Sequence, residues 1–168
     1  MIRERIPFDL SEIHPDTGNE FINYHVHAWA MLEGLLMTRS EPNKKNDNMC
    51  IEERNNSIVR KHLGYHRLDD VSFVSLISEI LRIACLLHNH FMPVRRMVSK
   101  ERIGAKWKRT FEKEALTPYE RVLREKTIPE QDKTMLRIAH DALNPLHLRR
   151  KLDTLKAELM KKLAVANR

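Results

Sequence analysis

Ahead of residue 92 the chain offers two short strand candidates, residues 10–14 and 35–38, with one helix-forming run between them. Strand, helix, strand is the pattern of an α/β unit, whose parallel strands need a crossover of about a dozen residues or more. Two strands rarely make a stable sheet. A chain built this way is therefore expected to be α/β with an incomplete sheet. The first candidate is bounded by Pro7 and Pro15 and should stop at residues 14–16. Asn19 is placed to cap a helix over 20–33, with Phe21, Ile22, Val26, Trp29, Ala30 and Met31 towards a core, and Gly34 closes it.

Residues 41–48, Glu-Pro-Asn-Lys-Lys-Asn-Asp-Asn, read as a polar loop. Asp47 or Asn48 then caps a second helix that Gly64 stops near Leu63. The clearest periodicity follows Asp69 and Asp70. Phe73, Leu76, Ile77, Ile80, Leu81, Ala84, Leu87 and Phe91 recur at three and four residues, which predicts a core-packed helix ended by Pro93. No apolar run approaches the roughly 18 residues of a membrane span, the best being residues 83–87. The N-terminus has no apolar signal-peptide core, and Cys50 and Cys85 form no C-x-x-C pair. The expected setting is a reducing cytoplasm, away from membranes.

Charge divides the chain. Residues 1–92 carry 10 Lys/Arg against 13 Asp/Glu, whereas residues 93–168 carry 20 against 10. An acidic front and a basic back suggest two domains, 1–92 and 93–168, the second facing a polyanion or merely presenting a solvated basic surface. Within the back half, residues 95–113 hold eight Lys/Arg against two Glu, interleaved with Met97, Val98, Ile103, Trp107 and Phe111. Arg95, Arg96, Lys100, Arg102, Lys106, Lys108 and Arg109 are the candidate DNA contacts there. Trp107 suits either stacking on a base or anchoring a hairpin to a core.

Further on, Thr117-Pro-Tyr-Glu120 is a capping box with Pro at the first helical position, and Thr127-Ile-Pro-Glu130 has the same form. Asn144-Pro145 caps a last helix along which Leu148, Leu152, Leu155, Leu159 and Leu163 form one narrow seam. Such a seam serves intramolecular packing or a homo-oligomer through that helix. His25 and His27, and His88 and His90, form helix-borne pairs without a nearby cysteine pair. They suit surface or core-edge positions better than a zinc site.

Two carboxylates stand in suggestive places. Asp16 lies where the first strand stops, a usual ligand position in α/β folds, and Glu52 lies in the first turn of the helix after the basic loop. Each alone reads equally as a helix-terminal acid. The words around them are His14-Pro-Asp-Thr-Gly-Asn-Glu-Phe21 and Lys45-Asn-Asp-Asn-Met-Cys-Ile-Glu-Glu-Arg-Asn55, with 35 residues between Asp16 and Glu52. This wording resembles that of the DDE integrases and transposases of bacterial mobile elements, whose catalytic core is similar to that of retroviral integrases. The likeness continues through Asn89-His-Phe-Met-Pro93, Thr117-Pro-Tyr-Glu-Arg121 and Asn144-Pro-Leu-His-Leu-Arg-Arg150, nearly the whole chain.

The resemblance implies an incomplete ribonuclease H-like core, consisting of the last two strands and following helices, plus a basic, mainly helical C-terminal extension. It makes Asp16 and Glu52 the second and third acids of the triad. Two Mg²⁺ (or Mn²⁺) ions would be held there by hard oxygen ligands for attack of a DNA 3′-hydroxyl on a phosphodiester. Lys44, Lys45, Asn55 and Asn56 would touch DNA, whether element end or target. Two departures from the family wording are Pro15 for Ser and Thr17 for Asn. The first triad Asp has no counterpart in the fifteen residues before Asp16, so the chain alone is expected to be inert in strand transfer and weak in metal binding. The alternatives are a non-catalytic DNA-binding or assembly module in residues 93–168, or a relic reading frame.

Overall fold

A computed structural model describes residues 9–15, 23–39 and 55–166, and the chain divides into two compact units, Met1–Gly64 and Tyr65–Arg168. Both mix helix and strand, so the α/β class holds, with one two-stranded sheet in each unit among the described residues.

In the first unit β1 (Glu12–Ile13) and β2 (Leu36–Met37) pair in parallel, Glu12 opposite Leu36 and Ile13 opposite Met37. The helix α1 (Tyr24–Leu32) lies between them in sequence. The two strands are where the sequence predicts them. The cap of α1 is not: Asn19 lies outside the described residues, and Asn23 accepts the Val26 N–H at 2.9 Å. The helix ends in a hydrogen-bond pair from Gly34 N–H to Met31 and from Leu35 N–H to Ala30. That closure puts Gly34 at φ 65°, a conformation a β-carbon disfavours. It also turns Leu35 inwards, where it is buried with Ala30. Residues Asn55–Arg60 form a π-helical segment, followed by the single turn α2 (Lys61–Leu63) and the stop at Gly64 that the sequence predicts.

In the second unit Asp70 accepts the Ser72 N–H at 2.8 Å and opens a 3₁₀ turn, Val71–Phe73, that runs into α3 (Val74–Phe91). Next come the antiparallel strands β3 (Met97–Ile103) and β4 (Lys106–Phe111), then α4 (Pro118–Arg124), α5 (Glu130–Asp141) and α6 (Pro145–Ala166). The core is the α3–α6 contact. Phe73, Leu76, Ile80, Ile83 and Ala84 are buried on one helix and Leu148, Leu152, Leu159 and Leu163 on the other. The leucine seam is thus covered within the chain. Across its rim Lys151 Nζ reaches Glu79 at 2.8 Å, and Arg82 grips the same carboxylate at 2.7 and 2.9 Å. These bonds hold Glu79 down at about 2. The change of charge at residue 92 falls inside this unit, since the helix before it packs on the last helix after it.

Two expectations need correction. Residues Val71–Phe91 are long and apolar enough to cross a membrane, with mean hydropathy 1.7 over the best window. The run of strictly apolar residues is short, because Ser72, Ser75, Ser78, Glu79, Arg82 and the His88-Asn-His90 end interrupt it, yet the average over the window stays high. Ile80 and Ile83 on this helix are buried and Glu79 is ion-paired, while 28% of that window is buried in all. The second capping box does not form. The helix α5 starts at Glu130 itself, with Pro129 at the cap, and Thr127 bonds Glu125 instead. Glu130 is then too early in the helix to reach back, and it pairs with Arg137 at 2.7 Å.

At the junction of α3, α4 and α5, His90 Nδ1 lies 3.1 Å from His140 Nδ1, and Tyr119 stacks flat on His140 with centroids 4.0 Å apart. One Nδ1 must donate and the other accept, so only one ring can be an imidazolium in this contact. Burial and the His140 charge both push the His90 pKa down.

Candidate nucleic-acid interface

Residues 95–113, for which sequence periodicity supplies no element, form the stem and strands of a β-ribbon. Its turn is Gly104-Ala105, and Gly104 has φ 61°, the value required at the first central position of a two-residue hairpin turn. Every residue from Lys100 to Phe111 is exposed on both faces. Trp107 is 54% exposed and Ile103 59%, so Trp107 anchors no core, which removes one of its two sequence readings. An isolated hairpin is marginal in water, so the ribbon's order depends on its stem.

The stem is held by polar bonds. Val94 and Leu116 exchange backbone hydrogen bonds of 3.0 and 3.2 Å, and the Glu112 N–H donates to the Arg96 carbonyl at 3.0 Å. Arg121, from α4, donates Nη1 to Glu112 Oε1 at 2.8 Å and Nη2 to Glu112 Oε2 at 2.6 Å and to the Val94 carbonyl at 2.8 Å. The Arg96 N–H donates to the same carboxylate at 3.0 Å. Arg121 and then Arg96 hold Glu112 down at about 2, so it stays charged at any ordinary pH. Thr117 and Glu120 close the capping box at 3.1 and 2.7 Å and fix the start of the helix carrying Arg121. Sequence reading missed the Glu112–Arg121 clamp, since nine residues of separation match no local period.

Register sorts the ribbon's side chains. Lys100 stands opposite Arg109 and Arg102 opposite Trp107, and these cross-strand pairs share one face. Phe111 follows Trp107 and Arg109 at alternate positions. The bulge at Val98 brings Met97 opposite Phe111 and so onto the same face. The other face carries Ser99–Thr110, Glu101–Lys108 and Ile103–Lys106. Lys100 Nζ sits 4.8 Å from the Trp107 ring centroid, a cation–π contact worth about 0.5–1 kcal/mol where exposed. The Arg102 Nε donates to the Gly104 carbonyl at 3.2 Å. Among the described residues, no carboxylate forms an ion pair with Lys100, Arg102, Lys106, Lys108 or Arg109. Arg95 and Arg96 are exposed beside the stem.

The remaining sequence candidates belong to the first unit or to residues outside those described. Asp16, Lys44, Lys45 and Glu52 lie outside the described residues. Asn55 and Asn56 begin the π-helical segment of the first unit, where Asn56 is exposed. Just before the Asp16 position, His14 Nδ1 lies 2.8 Å from the Thr38 hydroxyl, which donates to Glu12, so side chains tie the C-terminal ends of β1 and β2. His25 and His27 are exposed on α1. Among the described residues, no group of three or more His, Cys, Asp or Glu could hold a metal ion.

No family model matches the chain, and no solved structure matches it. Over 104 residues it is 34% identical to a Sinorhizobium fredii protein described as uncharacterized protein y4rM. The matched stretch makes up 62% of this chain and 30% of that relative, so the chain spans under a third of the relative's length.

Proposed function

We propose that the chain acts in DNA integration or transposition, as the C-terminal portion of a DDE strand-transfer enzyme with a ribonuclease H-like core. The observation that carries the reading is the pair of motif words around Asp16 and Glu52, in order and 35 residues apart. The parallel pairing of β1 and β2 supports it, because α/β folds present ligands beyond the C-terminal ends of parallel strands, and Asp16 comes shortly after β1 in the sequence. The basic ribbon supplies what such an enzyme also needs, a cationic surface for the phosphate backbone.

Two carboxylates are a donor set of hard oxygens, which suits Mg²⁺ or Mn²⁺. When bound, that ion would stabilise charge on the phosphodiester oxygens. In this reading Asp16 and Glu52 hold the metal, and Lys44, Lys45, Asn55 and Asn56 position DNA beside it. In-line attack in this reading needs a third acid beside Asp16 and Glu52 to align the phosphodiester.

The test mixes the chain with the upstream translation product of its own locus and follows joining of a labelled 3′-hydroxyl end to plasmid DNA. Strand transfer is expected, with Glu52→Gln reducing it by at least about a thousandfold while DNA binding persists. Transfer that survives Glu52→Gln would sink the role of Glu52.

A second reading, a DNA-binding or assembly module without catalysis, is favoured by the absence of ion-pair partners for the ribbon cations among the described residues. It predicts DNA binding with no strand transfer in the same mixture.

A further inference from the structure

We infer that the ribbon docks duplex DNA through one face, with Lys100, Arg102, Trp107 and Arg109 turned into the major groove. This inference shares with the integration reading only the partner, DNA, and it needs neither Asp16 nor Glu52.

Three observations carry it. The first is the asymmetry of the two faces. Pairing places Lys100, Arg102 and Arg109 on one side with no acid among them, whereas the opposite side carries Glu101 directly across from Lys108, beside Lys106. The second is exposure. A two-stranded ribbon ordinarily covers one face with the rest of the fold, yet here both sides from Lys100 to Phe111 face solvent, tryptophan included. The third is shape. At about 3.3 Å per residue, strands of this length reach about 20–23 Å. A two-stranded ribbon fits a B-DNA major groove about 12 Å wide. The Glu112–Arg121 clamp fixes the direction in which the ribbon leaves α4, so little ordering remains to be done on binding.

Arginine and lysine on an inward face can donate to guanine edges and to the flanking phosphates. Trp107 stands across from Arg102 with Lys100 Nζ over its ring, where it can meet sugars or a thymine methyl group. The bulge at Val98 extends the same face with Met97 and Phe111 towards the stem. Duplex DNA is favoured over a single strand because the cations cluster on one face of a two-stranded ribbon instead of lining a channel with stacked rings.

Fluorescence anisotropy with the full chain and a labelled 20-base-pair duplex of mixed sequence tests this. Lys100→Glu with Arg109→Glu should weaken binding by about tenfold or more and flatten the salt dependence by roughly two units of slope. Lys106→Glu with Lys108→Glu, equal in charge on the other face, should weaken it by no more than about threefold. Arg102→Ala checks the first pair without reversing charge and should also weaken binding. Equal losses from the two double variants would overturn the one-faced mode and leave a diffuse cationic cloud. Tighter binding to the single strand of the same length would overturn groove docking in favour of stacking. With Trp29→Phe removing the chain's other tryptophan, Trp107 emission should change on adding duplex. Binding with unchanged emission would count against the assigned face.

Strand-transfer activity plays no part in these readouts. Loss of catalysis in Glu52→Gln with ribbon binding intact, or the reverse, separates the two proposals.

Discussion

Arg121 shows how one side chain can decide whether a surface exists. Its guanidinium bonds both oxygens of Glu112 and the Val94 carbonyl, and so joins the two ends of the ribbon's stem to α4. Bidentate geometry makes this pair stronger than an ordinary surface contact. Glu112 is depressed from its ordinary carboxylate value to about 2. Its stabilising contribution is therefore complete above about 4.5 and is lost as pH falls from there through about 2. Arg121→Ala should lower the urea midpoint at pH 7 and weaken duplex binding several-fold. The midpoint gap between wild type and variant should narrow steadily below pH 4.5. A gap independent of pH would mean that Arg121 acts through its aliphatic stem and not through the carboxylate.

At the scale of elements, two similar sequence words behave differently. Thr117 and Thr127 each stand three residues before a glutamate, but only Thr117 makes the box. Its hydroxyl is buried and accepts the Glu120 N–H, so Thr117→Ala should cost about 1 kcal/mol in chemical denaturation. Thr127→Ala should cost close to nothing, and matching losses would refute the assignment of caps. The words differ because Pro118 stands at the first helical position after Thr117, whereas Pro129 stands just outside α5. Helices were legible where apolar period and stop signals agreed. The stripe of α3 and the seam of α6 proved to be the two halves of one core, and Gly34 and Gly64 ended helices as expected. The ribbon was illegible because charges occupy both of its faces and leave no alternation of apolar and polar residues. Its clamp was illegible because it joins residues that no local geometry brings together. Of the candidate site, the concentration of Lys and Arg over residues 95–113 was legible in the sequence, but its sorting onto two faces required the register and the bulge.

Across the whole molecule, charge and packing draw different boundaries. Composition changes at residue 92, yet α3 on one side of that point covers the leucine seam of α6 on the other. Fully burying a leucine is worth about 1.5–3 kcal/mol, so Leu148, Leu152, Leu159 and Leu163 together stand to contribute about 6–12 kcal/mol. That is comparable with the entire net stability of an ordinary domain, about 5–15 kcal/mol. A piece cut at the change of charge would expose the seam, whereas a piece cut at the boundary between the compact units would keep it covered. Residues 65–168 should accordingly unfold in one cooperative thermal transition. Residues 93–168 should melt gradually as a monomer, or should regain cooperativity only by pairing seam to seam with a second copy. Circular dichroism melting at several concentrations, with sedimentation alongside, distinguishes these outcomes. A cooperative, concentration-independent melt of residues 93–168 would mean that the basic half holds its own core and that α3 merely rests on it. If that melt belongs to residues 65–168 alone, the helix that belongs by charge to the acidic front is the one that keeps the basic back folded and its ribbon in place.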